Sequence, residues 1–419
     1  MKAALLAACL LAGTAQAEEF SFDAGEFEKK PFEFGGYLEF KAERAWLNRD
    51  SSNYRLNGLS RDTLNRNTAT AKLNAKLTQG MASLNLRGSA ETLRDELTRS
   101  HELRFDEAYV SFKPDPGFTL DAGKIAMKWG KGYAWNPVGF VERPKDPNDV
   151  DAAREGFTMV AADFIRNFTD VLSGDLKTIA FTPVLLPVGN QHNSDFGEAN
   201  HTNAAAKLYL LYKDTDIDFT WLGSGSRTSR FGIDFARNLT PNFEIHGEWA
   251  RISDFTQRHI DAVGNVATTT RDVSSMLLGL RYLTENDTTW IAEIYRNGTG
   301  YTQSQLEDFH GLADSGNPAL VNKAKQISPA YLRANPGRDY LYLKASQKEP
   351  FDIVYFTPSL TWMANLADRS WSLTPELLYT GITNLDLRLR ATWLHGDAYS
   401  EFGEKQNKRR LELLARFYF

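Results

Sequence analysis

The chain has 419 residues, with 48 basic and 53 acidic side chains, a formal charge of −5 and one cysteine, Cys9. So weak a net charge gives nucleic acid no electrostatic footing, and a chain without a second cysteine is not a small disulfide-stapled domain. The mean hydropathy of −0.42, with no apolar run beyond the first 17 residues near the roughly 20 that a membrane helix needs, excludes a helical membrane protein.

Residues 1–17 read as a secretory signal: Lys2 is the basic start, Ala3 to Ala12 the apolar core, and Ala15-Gln16-Ala17 the small-x-small cleavage site. Cys9 comes too early in that core for a lipidation box. Removing 17 of 419 residues leaves 402 and no cysteine, hence no Cys-x-x-Cys-His haem attachment. Residues 18–33 are acidic and aromatic without a clean period, and read as a periplasmic lead-in.

From Phe34 to Trp46, Leu38, Phe40 and Ala42 alternate with Glu39, Lys41 and Glu43, the period of a strand with one apolar face. The same alternation runs through 68–77 and, after the turn Thr78-Gln79-Gly80, through 81–93. It continues near 101–113, 117–128, 157–167, 175–186, 203–213, 216–223, 227–238 and 242–255. Further strands are expected near 271–283, 288–297, 338–347, 351–364, 370–382, 384–395 and 406–419. Most connections alternate between short turns and longer loops, the two rims of a transmembrane barrel. Eighteen strands, an even number, put both termini at the short-turn rim. Sixteen is the alternative, because Pro183 and Pro187 fall in one of the strands.

The last strand ends with Leu411, Leu413, Ala415, Phe417 and Phe419 on one face, and Glu412, Arg416 and Tyr418 on the other. This resembles the C-terminal assembly signal of Gram-negative outer-membrane proteins, with Phe417, Tyr418 and Phe419 at the membrane interface. The expected fold is all-β, a transmembrane antiparallel up-and-down barrel over residues 34–419 in the outer membrane. Its expected partners are the lipid and the barrel assembly machinery.

A barrel of this size is too wide to fill with side chains, so the inward positions decide what passes. Residues 384–395 send Leu385, Leu387, Leu389, Ala391 and Trp393 outward and Asp386, Arg388, Arg390 and Thr392 inward. With Arg281, Lys344 and Arg416, this predicts a basic sector on the C-terminal third. Other inward rows mix Glu39, Glu43, Glu91, Glu107, Asp216, Asp218, Asp234, Glu244, Glu248 and Glu293 with Lys72, Lys76, Arg87, Lys207 and Arg230. Opposed rows of charge give a transverse field; simple pairing in a wet wall is the alternative.

Residues 128–156 are not explained by barrel walls. Trp129, Tyr133 and Trp135 lie among glycines, prolines and opposed charges, a composition for a fixed path and not for disorder. They are expected to fold into the lumen as a constriction lined by Lys128, Lys131, Arg143, Lys145, Asp149, Asp151 and Arg154, with a packed external cap as the alternative. Residues 298–337 are expected to hold two short helices, Gln303–Leu312 and Pro318–Ser328, with Leu306, Phe309 and Leu312 on one face. This loop would gate the mouth, bind a partner or cover the surface.

The seven histidines are scattered. His192 and His201 share a loop with Asp195 and Glu198, and Asp146-x-Asn148-Asp149-x-Asp151 lacks the spacing and glycine of a calcium loop. No metal, no cofactor and no catalytic group is expected.

Three stretches carry a family resemblance: Phe34-Gly35-Gly36-Tyr37-Leu38-Glu39; Asp106-Glu107-Ala108-Tyr109-Val110 with Gly123-Lys124 and Trp129-Gly130; and Trp135-Asn136-Pro137 leading to Arg154-Glu155-Gly156. Together they resemble the alginate-export-type and related porin-like outer-membrane families. The resemblance implies passive passage of a small polar or anionic solute, or a polysaccharide, through an arginine-bearing lumen. Two alternatives stand beside the channel: a membrane sleeve for a periplasmic or surface protein partner in an export or electron-transfer conduit, and an outer-membrane enzyme.

Overall fold

The computed structural model describes residues 31–147, 155–168 and 175–419. The signal, most of the lead-in, and Asp149, Asp151 and Arg154 of the expected constriction lie outside the described residues. The first strands are β1 (Phe32–Leu47), β2 (Thr63–Gln79), β3 (Ala82–Asp95), β4 (Arg99–Asp115), β5 (Phe118–Ile125) and β6 (Phe157–Asn167). Next come β7 (Leu176–Val188), β8 (His201–Tyr212), β9 (Thr215–Leu222), β10 (Arg230–Thr240), β11 (Phe243–Ile260) and β12 (Val266–Leu283). The last are β13 (Thr288–Arg296), β14 (Asp339–Gln347), β15 (Phe356–Asn365), β16 (Trp371–Ile382), β17 (Leu385–His395) and β18 (Asn407–Tyr418). Each pairs antiparallel with its sequence neighbours, and β1 pairs with β18, so the sheet closes with no free edge.

All eighteen expected strands are present, with shifted ends. The first begins at Phe32 and not Phe34, and β2 begins at Thr63, five residues early. Residues 351–355 belong to the turn before β15, where Phe351 and Asp352 have φ near +60°. The prolines do not remove β7. The β6–β7 ladder pairs Ala161 with Val184 and resumes in register at Phe164 and Phe181, skipping Thr182 and Pro183. Pro183, which has no N–H to donate, thus sits where one ladder is interrupted.

The alternation sorts side chains as a lipid-facing wall requires. In β17, Leu389 and Trp393 are exposed outward, while Arg390 and Thr392 are buried inward. In β12, Met276 and Leu278 face out and Leu277 is buried. Facing lipid, this outer surface takes the place that a buried core has in a soluble domain.

The closing seam is β18 on β1. Leu38 lies opposite Phe417 and Glu39 opposite Arg416. The Gly36 N–H donates to the Phe419 carbonyl at 3.1 Å, and the Phe419 N–H returns a bond at 3.2 Å. A Cβ on Gly36 would stand 2.1 Å from the Lys72 carbonyl oxygen, so the seam needs glycine there. Phe417 and Phe419 are exposed on the outer face, and the inward Tyr418 hydroxyl donates to Asp386 at 2.8 Å.

Three loops at the long-loop rim build the interior and the mouth: L1 (48–62), L3 (126–156) and L7 (297–338). L1 carries an unexpected short helix, α1 (Ser52–Leu56), and L7 carries α2 (Gln303–Asp314) and α3 (Pro318–Tyr331). Thr302 starts α2 with a reciprocal capping box to Gln305, and Pro318 opens α3. Leu306, Phe309 and Leu312 form a buried face, as their spacing predicts, joined by Leu56, Ile260 and Tyr331. Arg55 of α1 pairs with Asp314 at 2.5 Å. L1 and L7 together make a cap with its own apolar core.

Candidate functional site

L3 enters the barrel and is clamped to the inner wall of β9–β13. Glu248 of β11 accepts backbone N–H bonds from Lys131 and Gly132 at 2.6 Å each and from Val138 at 3.3 Å. Glu293 of β13 accepts from the N–H groups of Tyr133 and Ala134, and His246 Nε2 lies 2.9 Å from the same Oε1 that takes the Tyr133 bond. Two carboxylates thus satisfy five loop amides, with hydrogen bonds to charged groups that are worth about 1.5–3 kcal/mol each. Glycine makes the approach possible: Gly130 has φ +90°, and a Cβ there would stand 2.7 Å from Glu248 Oε1. A Cβ on Gly132 would meet the Trp135 carbonyl at 2.2 Å.

The aromatics of L3 are its anchors. Trp135 stacks on Tyr295 with centroids 5.0 Å apart and meets Tyr340 and Tyr342. It shares a buried cluster with Ala134, Leu277, Met363 and Phe402. Trp129, Val138 and Phe140 join Phe157, Met159 and Leu186 in a second cluster. The described part of the loop is therefore packed against inward side chains of β11–β15.

The charges expected to line a constriction sort differently. Lys131 turns into the wall, its Nζ 2.8 Å from Asp218 and 3.9 Å from Asp234. Burial works against its charge, but these carboxylates more than offset it and raise its pKa. The Tyr133 hydroxyl donates to Glu244 at 3.2 Å. Its pKa is raised by burial and then by Glu244, against an opposing pull from Arg281. Lys145 donates to the Gly132 carbonyl, and Arg143 pairs with Asp195 and Glu155 over the Phe157 ring. Lys128 is exposed and has no ion pair with a described residue.

Across from this wall lies a lumen cavity of about 480 Å³ bounded by β1–β4 and β14–β18. Lys344, Arg388, Arg390 and Arg416 all line it, as the inward alternation predicts. Arg281 does not: it sits opposite Glu244 and beside Tyr133, under the loop. Lys41, Lys72, Arg87 and Arg104 complete the basic lining, against Glu39, Glu91, Glu376 and Asp386, so eight bases face four acids. Lys41 and Arg87 belong to rows visible in the sequence, but their convergence with β17 arises only when β1 closes on β18.

Most of the bases are held by partners. Arg390 pairs with Glu376 at 2.6 Å, and Arg388 reaches Glu412 at 3.5 Å. Arg416 pairs with Glu39 at 2.5 Å, and Lys72 with the buried Asp106 at 2.8 Å. Lys41 and Lys344 have no ion pair with any described residue. The fixed pairs hold the arginines in place, with Asp106, Glu107 and Glu412 behind the lining, while Lys41 and Lys344 stand in the open beside Glu91 and Asp386, which likewise have no ion pair with a described residue.

No described protein family and no curated protein matches this chain. Solved structures do. The crystal structure of Pseudomonas aeruginosa OccK5 (OpdH) is similar at 15% identity and a TM-score of 0.53, covering 92% of this chain and 98% of that one. That of Pseudomonas aeruginosa OccK11 (OpdR) matches at 12% identity and a TM-score of 0.52, covering 92% and 96%. At these identities the likeness is one of fold, that of the closed barrel.

Proposed function

We propose that this chain is a porin-like channel of a Gram-negative outer membrane, passing small polar solutes with a preference for anions. The observation that carries this reading is the division of the lumen. The loop occupies the acidic wall, and the cavity left open is lined by twice as many bases as acids. Fixed positive charge in a water-filled pore with low-dielectric walls raises the local anion concentration. The similarity in fold to OccK5 and OccK11 supports the barrel of this reading.

The cargo class follows from the wall: a carboxylate or similar anion finds Lys41 and Lys344 free to meet it and arginines already oriented beside them. A polyuronate of the kind that the alginate-export resemblance implies shares that carboxylate chemistry. Liposome swelling with a size-matched series separates the cases. Gluconate entering faster than a neutral sugar of equal size supports the reading, and oligouronate entry extends it to polymers. Equal rates for anionic, neutral and cationic solutes would remove the anion preference.

A further inference from the structure

The outward face of the barrel changes character at the long-loop rim of β18 and β1–β4. In β18 the exposed outward row Phe417, Leu413 and Leu411 gives way to Arg409. In β1, Leu38 and Phe40 give way to Arg44 and Trp46, and in β3 the row that starts at Leu84 ends in Arg94. In β4, Phe105 and Leu103 lead to His101 and Arg99. Pairing aligns these positions across the sheet: Trp46 lies opposite Arg409, Arg44 opposite Asn65, Asn67 opposite Arg94, and Arg94 opposite Arg99. The Arg44 and Arg409 guanidinium groups lie 5.5 and 5.2 Å from the Trp46 ring centre.

Arg44, Arg94, Arg99 and Arg409 are all exposed, and none has an ion pair with a described residue. Acids in the loops beside them are engaged elsewhere: Asp50 with Lys408 at 2.9 Å, Asp62 with Arg49 at 2.5 Å, and Glu96 with Asn65 at 2.7 Å. The β11–β14 side of the same rim is built differently. There the outward Arg251 pairs with Asp272 at 2.7 Å, and Arg296 lies 3.9 Å from Asp339. A solvated arginine needs no partner. Four of them directly above an apolar, lipid-facing row carry one sign of charge to the level of the lipid headgroups. Guanidinium forks match phosphate oxygens two at a time, and tryptophan is a side chain suited to that interface. A free phosphate would meet only the arginines, whereas a lipid-borne one also lays its chains on Leu411, Leu413, Leu103 and Phe105.

We propose that the outward rim of β18 and β1–β4 is a docking surface for a phosphate-bearing lipid of the outer leaflet. Its phosphates sit on Arg44, Arg94, Arg99 and Arg409, and its acyl chains on the apolar rows below. The site depends on the barrel's place in the outer membrane and not on conduction, so a barrel that passes no solute leaves it standing.

The purified barrel in nonionic detergent is mixed with lipid A, a phosphorylated glucosamine-disaccharide lipid, and the lipid retained on the barrel is measured by native mass spectrometry. A second arm uses the same lipid with its phosphates removed, and a third adds inorganic phosphate to the first. Lipid A is expected to be retained, and its dephosphorylated form at least about tenfold less, since the charge-assisted bonds are lost. Inorganic phosphate at matched concentration should displace little of it. Arg44→Gln/Arg94→Gln/Arg409→Gln should lower retention by a similar factor, while Arg251→Gln/Arg296→Gln, on the paired side, should leave it unchanged. Folding of each variant is read from its mobility on unheated gels. Equal retention of the two lipids overturns the site on the wild-type protein alone, as does a triple variant that loses no more than the double. Displacement by matched inorganic phosphate would make the rim a site for free anions and overturn the lipid.

Discussion

The two walls of the lumen are built from the same alternating strands and put to opposite uses. On β9–β13 the inward carboxylates are buried, and they hold L3 through its backbone amides. On β1–β4 and β14–β18 the inward bases face open space and are steadied by acids from neighbouring strands. The acidic wall holds the loop, and the basic wall borders the open cavity. An inward charge is therefore not by itself a selectivity charge; what covers it decides.

The comparison breaks most sharply at Glu248. Glu248→Ala/Glu293→Ala strands five loop amides at a cost on the order of 3–5 kcal/mol or more, the range for breaking buried charged networks. L3 should leave the wall, with a larger and noisier single-channel conductance and new protease cleavage near 128–147. An unchanged conductance would mean that the loop is held by its aromatics alone.

The cap provides a contrast outside the lumen. His310 of α2 is buried and bonded to the Ser52 hydroxyl at 2.7 Å. Burial lowers its pKa from 6.5 to about 3. The neutral ring's contribution is thus fully present above pH 6.5. It is drawn down as pH falls toward 3, because the unfolded segment takes up the proton first. Protection factors across 302–331, taken relative to the intrinsic exchange rate at each pH, should fall over that window, and His310→Gln should flatten the dependence.

On the open wall, Lys41→Gln/Lys344→Gln removes two unpaired charges without orphaning a carboxylate. Each supplies roughly 1 kcal/mol to a nearby anion at high effective dielectric, so anion-to-cation permeability should fall by a factor of several. The smallest effect is expected from Tyr133→Phe. It removes one hydroxyl bond to Glu244 from a loop that keeps its amide clamps, a loss of about 1 kcal/mol or less. Its conductance should match that of the wild type.

Much of this was legible in the sequence because a strand's period of two is local. Every strand, the closing pair of Phe34–Trp46 with the terminus, and both L7 helices follow from spacing. So does the inward set Lys344, Arg388, Arg390 and Arg416. The period says inside or outside, but it does not say which wall. Arg281 has the inward position that places Arg416 in the cavity, yet β12 stands six strands from β18, beneath L3. The clamp was hidden for a related reason. It joins loop amides to carboxylates more than a hundred residues away, and amides leave no mark in side-chain patterns. The glycines at 130 and 132 were its only local trace.

The most direct test of the account is the reversal potential of the purified wild-type barrel in a planar bilayer under a potassium chloride gradient. The account predicts stable channels with a reversal potential of the anion-selective sign, moving toward zero in Lys41→Gln/Lys344→Gln. Cation selectivity, or a folded barrel that does not conduct, would contradict it.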